Sequence, residues 1–247
     1  MTPAQPELVH GVGDDPAGGD APVGGDDPVG GDDPVGGDDP VGGDEPAVQR
    51  WQVVIPVKPA RRGKSRLASG ASREGLARAI ALDTIAAAAS CPVVAQVFVV
   101  TDDAGLPLAA ADIPGLRFVA EEEARGLDAA IALGMAAAGT DAHRAALLGD
   151  LPALRPDDLA AALEAATAHP RAVVADAEGT GSTLVTATAG EEWTSAFGDG
   201  SFARHLEMGC AALDIPRDST VRRDVDTPEQ LETAANLGVG PRTAALL

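Results

Sequence analysis

The sequence predicts an α/β fold: one domain with a mostly parallel sheet and helices on both of its faces. Three observations carry that prediction. Short apolar, β-branched runs alternate with Ala-rich segments of helical spacing, the pattern of strand–helix–strand units. The runs are apolar along most of their length, as strands covered on both faces are. Lys58, Asp102, Asp150 and Asp176 each follow a predicted strand. In open α/β sheets ligands bind beyond the carboxyl ends of the strands, so these four groups should gather at one edge.

The first strand is 52–57 (QVVIPV). Leu76, Ile80 and Thr84 then recur at helical spacing in a segment that stops at Cys91-Pro92. A second buried strand covers 93–100, and a shorter one 116–119. Leu127, Ile131 and Met135 mark a helix that ends near Gly139. Residues 145–148 form a strand ending at Gly149-Asp150, and 157–168 a helix entered through Arg155-Pro156. Strands at 172–175 and 183–188 and helices at 202–213 and 228–237 complete the pattern.

Residues 1–49 stand apart from this domain, which occupies 50–247. The hexapeptide Asp-Asp-Pro-Val-Gly-Gly repeats in tandem from Asp26 to Gly43, with a degenerate copy at each end. The segment holds 12 acidic residues and no Lys or Arg. It has too little apolar surface to offset its chain entropy, which predicts disorder. A β-helix is excluded, because each copy places a Pro where a strand must donate a hydrogen bond. The formal charge of −20 divides into −12 for this tail and −8 for the rest. That balance argues against nucleic acid as a partner. There is no apolar run long enough to cross a bilayer and no signal-peptide pattern at the N-terminus. Cys91 and Cys210 are too few for a disulfide framework and sit among apolar residues, as reduced core thiols do. The expected compartment is the cytoplasm.

The sharpest motif follows the first strand. Lys58 and Lys64 are the only lysines of the chain, and Arg61, Arg62 and Arg66 lie beside them. Five cations within nine residues of an acidic protein make an anion site. Such a loop can hold a triphosphate and neutralise charge that develops on departing pyrophosphate. Gly63-Lys64-Ser65 is not a Walker A loop, since the Gly required five residues earlier is Lys58.

Asp150, at a strand end before a Pro-containing turn, suits a hard cation, and Mg²⁺ prefers one or two carboxylates plus phosphate oxygens. In Asp224-Val225-Asp226 an extended backbone puts both carboxylates on one side. Asp226 also suits the start of a helix, so capping and metal binding both remain open for it. The loop from Asp176 to Thr183, rich in Gly and hydroxyls, reads either as an oxyanion cradle or as a hairpin turn. Phe197-Gly198-Asp199-Gly200-Ser201 leads into a helix and offers backbone N–H donors to a carboxylate or phosphate. Gly126 and Asp128 open another helix, where Asp128 either contacts a nucleotide or favours the helix N-terminus.

Taken together, the pieces IPVKPARRGKSRL (55–67), RGLDAAI (125–131), GDLPAL (149–154), GTGSTLV (179–185), FGDGSFARHL (197–206) and DVDTPEQL (224–231) resemble the guanylyltransferases of coenzyme F(420) biosynthesis. Those enzymes act on 2-phospho-L-lactate or phosphoenolpyruvate. The resemblance spans nearly all of 51–238 and leaves out the acidic tail. It implies a Rossmann-like, GT-A-like nucleotidyltransferase fold, GTP as donor and Mg²⁺ as cofactor. Carried over by motif, the phosphoenolpyruvate contacts fall on Thr183, Gly198 and Ser201, and the metal carboxylates on Asp150 and the Asp224/Asp226 pair. Lys58, Lys64 and Arg66 take the catalytic, charge-neutralising role. Lys58, Lys64, Ser65, Gly126 and Asp128 bind the nucleotide. Asp128 departs from the family, which often has Asn there. A downstream transferase of the same pathway is the implied protein partner.

Sixteen Arg against two Lys points to a GC-rich genome, and in this family that associates with phosphoenolpyruvate as acceptor. The residues themselves do not separate it from phospholactate or 3-phosphoglycerate. A molybdopterin guanylyltransferase is the rival enzyme, although its Gly-rich first loop is replaced here by IPVKPA. A nucleotide sensor with an acidic interaction arm is the rival outside enzymes.

Overall fold

The apolar runs form strands. In the computed structural model, which describes residues 50–58, 71–121 and 126–247, seven strands make one sheet among the described residues. They are β1 (Trp51–Val57), β2 (Val94–Thr101), β3 (Leu116–Ala120), β4 (His143–Leu147), β5 (Arg171–Ala175), β6 (Ser182–Ala187) and β7 (Ala211–Ala212), in the order β3-β2-β1-β4-β6-β5-β7. β1 pairs parallel with β2 and β4, β2 with β3, and β5 with β7. Only β6 runs against its neighbours, β4 and β5. The hairpin reading of 176–183 therefore holds, and the sheet is mostly parallel as expected.

Alternation along the strands explains why both faces are apolar. Val53, Ile55, Val97, Val99, Ala145 and Leu147 point to one side. There they pack on α1 (Ala71–Ala89) through Leu82 and Ile85 and on α4 (Pro156–Ala166) through Leu159 and Leu163. Val54, Phe98, Val100 and Ala146 point to the other side and meet Ile131 and Met135 of α3 (Leu127–Ala138). α3 lies very close to the sheet at Gly134, where an added Cβ would sit 2.3 Å from Val54 Cγ1. The third apolar cluster joins Leu76 and Ile80 of α1 to Val225 and to Leu231 of α6 (Pro228–Leu237).

Among the described residues three short α-helices, α2 (Leu106–Ala109), α5 (Ser201–Glu207) and α7 (Pro241–Ala244), and one 3-10 turn at Thr220–Arg222 complete the domain. α7 is held by Asp83 of α1, a buried carboxylate that accepts from Arg242 N at 3.2 Å and Thr243 N at 2.7 Å. The helix expected over 202–213 ends early. Cys210 N donates to His205 O and Gly209 N to Leu206 O, the paired bonds of a Schellman stop, and the chain then enters β7. Cys91 and Cys210 are free and buried, and burial pushes both thiols up from their ordinary value. Among the described residues no helix is long and apolar enough to cross a membrane.

Candidate active site

A cleft of about 560 Å³ opens beyond the carboxyl ends of the central strands, as the topology requires. β1 delivers Lys58 to it, β4 delivers Asp150, and β5 delivers Asp176. Val225 N donates to Asp150 O at 3.0 Å and buries its side chain, so Asp224 and Asp226 both line the cleft. Asp226 is not needed as a cap. Thr227 caps α6, accepting from Gln230 N at 3.2 Å, while Gln230 Oε1 accepts from Thr227 N at 3.0 Å.

Glu178, which the motifs did not single out, joins this acidic wall. Carboxylate oxygens of Asp176, Glu178 and Asp224 lie within 4.8 Å of one another. Asp176 accepts from Thr180 N at 2.9 Å and Gly181 N at 2.7 Å, which shapes the hairpin turn. Arg222 holds the same strand end by donating to Asp176 O at 2.8 Å. Gln230 Nε2 donates to Glu178 at 3.0 Å. Asp224 is the strained member: its Oδ1 is buried without a hydrogen-bond partner among the described residues. Burial first, and then Asp150, Asp176, Asp226 and Glu178, push its carboxyl up to about 8. A hard divalent cation fits such a donor set, because it would neutralise like charges and satisfy that oxygen.

The facing wall is a strap, residues 188–201, that climbs from the end of β6 to α5. Side chains pin it at successive points. His143 Nδ1 accepts from Ala189 N at 3.0 Å, and Arg144 donates to Glu191 O. Asp128 accepts from the Ser195 hydroxyl at 2.7 Å and from Phe197 N at 3.1 Å. Arg204 donates to Ala196 O at 3.0 Å and Phe197 O at 3.2 Å. The strap ends in Gly198 (φ 108°) and Gly200 (φ 68°), left-handed backbone that only Gly adopts without strain. Gly198 and Ser201 line the cleft.

The structure thus brings together Lys58, Asp150, Asp224, Asp226, Gly198 and Ser201 of the expected site residues. Lys58 Nζ lies 3.6 Å from Glu121, a buried carboxylate at the end of β3 that sequence reasoning missed. Asp102 is exposed and does not line the cleft. Gly126 is exposed at the start of α3, and Asp128 accepts hydrogen bonds from the strap at Ser195 and Phe197. Thr183 is wholly buried, and its hydroxyl has no partner among the described residues. The hydroxyl at the cleft is that of the preceding residue, Ser182, because strand neighbours point to opposite faces. Lys64, Ser65 and Arg66 lie outside the described residues.

Fold and cleft together define a nucleotidyltransferase. The family model "Guanylyl transferase CofC like" matches residues 51–234. A Streptomyces coelicolor protein named phosphoenolpyruvate guanylyltransferase is 51% identical over 205 residues, covering 80% of this chain and 95% of its own. Among solved structures, the homologue of Mycobacterium tuberculosis Rv0371c from Mycobacterium sp. strain JC1 has a TM-score of 0.54 at 23% identity, covering 76% of this chain and 97% of its own. Rv0371c itself, from M. tuberculosis H37Rv in complex with manganese, has a TM-score of 0.50 at 20% identity, covering 76% and 98%. The chain belongs to the CofC-like guanylyl transferase family.

Proposed function

We propose that the protein transfers GMP from GTP to phosphoenolpyruvate, giving enolpyruvoyl-2-diphospho-5'-guanosine and pyrophosphate, within coenzyme F(420) biosynthesis in the cytoplasm. The observation that carries this reading is the pairing, across one cleft, of an acidic wall with a strap of neutral donors. The first suits a cation-bound triphosphate and the second a small anionic acid. The S. coelicolor relative's name supports the choice of donor and acceptor.

The acceptor phosphate is an anion at neutral pH, so the reaction needs no general base. One of its oxygens attacks the α-phosphorus of GTP. The bond from that phosphorus to the bridging oxygen breaks, and pyrophosphate leaves with the electron pair. Alignment and charge neutralisation are then the catalytic tasks. Lys58, with Lys64 and Arg66 of the following loop, neutralises the departing pyrophosphate, and Ser65 and Gly126 help to seat the nucleotide. Asp150, Asp224 and Asp226 would hold Mg²⁺, with Asp176 and Glu178 beside them. That ion supplies charge neutralisation and orientation of the phosphates. The manganese complex of Rv0371c, of similar fold, supports a divalent ion in this class. Ser182, Gly198 and Ser201 bind the acceptor acid, and Asp128 serves by anchoring the strap.

The test is a pyrophosphate-release panel crossing GTP, ATP and CTP with phosphoenolpyruvate, 2-phospholactate and 3-phosphoglycerate, with and without Mg²⁺. GTP with phosphoenolpyruvate should dominate. GTP binding without pyrophosphate release from any pair would overturn the reading.

A further inference from the structure

His205 plays no part in the chemistry above, yet it is wholly buried beside the cleft. It lies on α5, with Phe197 packed against its ring at 5.0 Å and 71°. Its two nitrogens have different partners. Nε2 is 2.9 Å from Ala196 N, and a backbone N–H can only donate, so Nε2 is the bare nitrogen. Burial keeps the imidazole neutral, lowering its pKa from the ordinary value. Asp128 opposes that shift and Arg204 adds to it. A neutral ring with a bare Nε2 carries its proton on Nδ1. Nδ1–H therefore donates to Ser182 Oγ, at 2.9 Å.

This fixes the hydroxyl. Ser182 Oγ accepts from His205, and it makes no other hydrogen bond among the described residues. Ser182 lines the cleft, so its own proton is left to serve an acceptor that arrives there. The same ring holds Ala196, two residues before Gly198. One imidazole thus ties the start of β6 to the strap and sets the spacing between the two parts of the acceptor pocket.

We infer that His205 is a positioning residue for the acceptor: its Nδ1–H orients the Ser182 hydroxyl as a donor to an anionic substrate oxygen, while its Nε2 holds the strap. This rests on the proposed acceptor pocket, and the experiment separates the two. Gln at 205 can place an acceptor near the Nε2 position and keep the strap bond while losing the donor to Ser182. Asn can place a donor near the Nδ1 position and do the reverse. Kinetics are measured on Ser182→Ala, His205→Gln, His205→Asn and Ser182→Ala with His205→Gln, using the acceptor that the release panel identifies.

Ser182→Ala and His205→Gln should each raise the acceptor KM about tenfold or more, the scale of one hydrogen bond to a charged group, and leave the GTP KM unchanged. The double variant should be no worse than either single one, and His205→Asn should recover most of the loss. Effects that add, or that fall on the GTP KM, would overturn the inference while leaving guanylyl transfer intact. Turnover of a different acid in place of phosphoenolpyruvate would overturn the proposed acceptor, and the cycle would still judge His205. ¹⁵N spectra of the wild-type ring decide independently of whether the variants fold. A protonated Nδ1 with bare Nε2 is expected, and the opposite tautomer would refute the arrangement.

Discussion

The two walls of the cleft handle charge in opposite ways. The acidic wall crowds Asp150, Asp176, Glu178, Asp224 and Asp226 together, and Asp224 keeps a buried oxygen with no hydrogen bond among the described residues. The strap offers neutral donors to the cleft, and its backbone is held by His143, Arg144, His205, Arg204 and Asp128. One wall would be completed by the proposed cation, whereas the other is finished in advance. Preorganised donors lose no reorganisation energy when charge reaches them, which is what an acceptor site requires. Crowded carboxylates instead hold stability in reserve, to be recovered when metal and triphosphate bind.

The largest effect should come from the acidic wall. Asp150→Asn keeps the shape and removes a charge, so the rate should fall by about 10² or more, as on deleting one preorganised electrostatic contact. Near-normal kcat at low Mg²⁺ would show that Asp150 is structural. On the other wall, Ser201→Ala should raise the phosphoenolpyruvate KM about tenfold or more and spare the GTP KM. Lys58→Ala should do the converse, lowering kcat more than it raises acceptor KM, because the charge it neutralises grows as pyrophosphate leaves. If Ser201→Ala weakens GTP instead, the two walls are wrongly assigned.

The walls should also respond oppositely to pH. Asp224 is raised from 3.8 to about 8, so between those values the native state binds more protons than the unfolded one. Its contribution to stability is full below 3.8 and is lost as the pH rises through about 8. His205 is lowered from 6.5, so its contribution is full above 6.5 and is lost as the pH falls through the depressed native value. Asp224→Asn should therefore raise the metal-free Tm at pH 8 by roughly 2–4 °C, the response of a domain this size to about 1 kcal/mol. His205→Gln should flatten the acid limb of the Tm profile. An unchanged alkaline limb in Asp224→Asn would mean that this carboxyl is not strained.

What the sequence revealed and what it concealed divide along the same line. The acidic wall was legible because strand ends are legible: apolar runs stop, and Lys58, Asp150 and Asp176 follow. The helix at 228–237 was read to the residue, since Pro at its first position is a local signal. The strap was not legible in this way. Several of its anchors lie far off in sequence, with Asp128 69 residues from Phe197 and Arg144 47 from Glu191. The reversal of β6 was hidden too, because a run buried on both faces carries no mark of direction. Choosing Thr183 over Ser182 turns on strand parity, where one residue moves a hydroxyl from the cleft to the core. Glu178 reaches the site only through the hairpin turn that Asp176 closes.

The smallest effect should come from outside both walls. The family match begins at residue 51 and the first motif at Ile55, so residues 1–49 are expected to be dispensable for catalysis. Those residues carry 12 acidic groups and no basic one. The long-range field of those charges is screened by physiological salt beyond about 8 Å. A truncation starting near Ala47 should therefore keep kcat and both KM values in 0.15 M salt. At low salt the screening weakens, and removing the tail should, if anything, speed capture of the anionic substrates, visible as a modest rise in kcat/KM. A loss of about tenfold or more in kcat with Tm unchanged would place the tail inside the catalytic unit and break the division of the chain at residue 50.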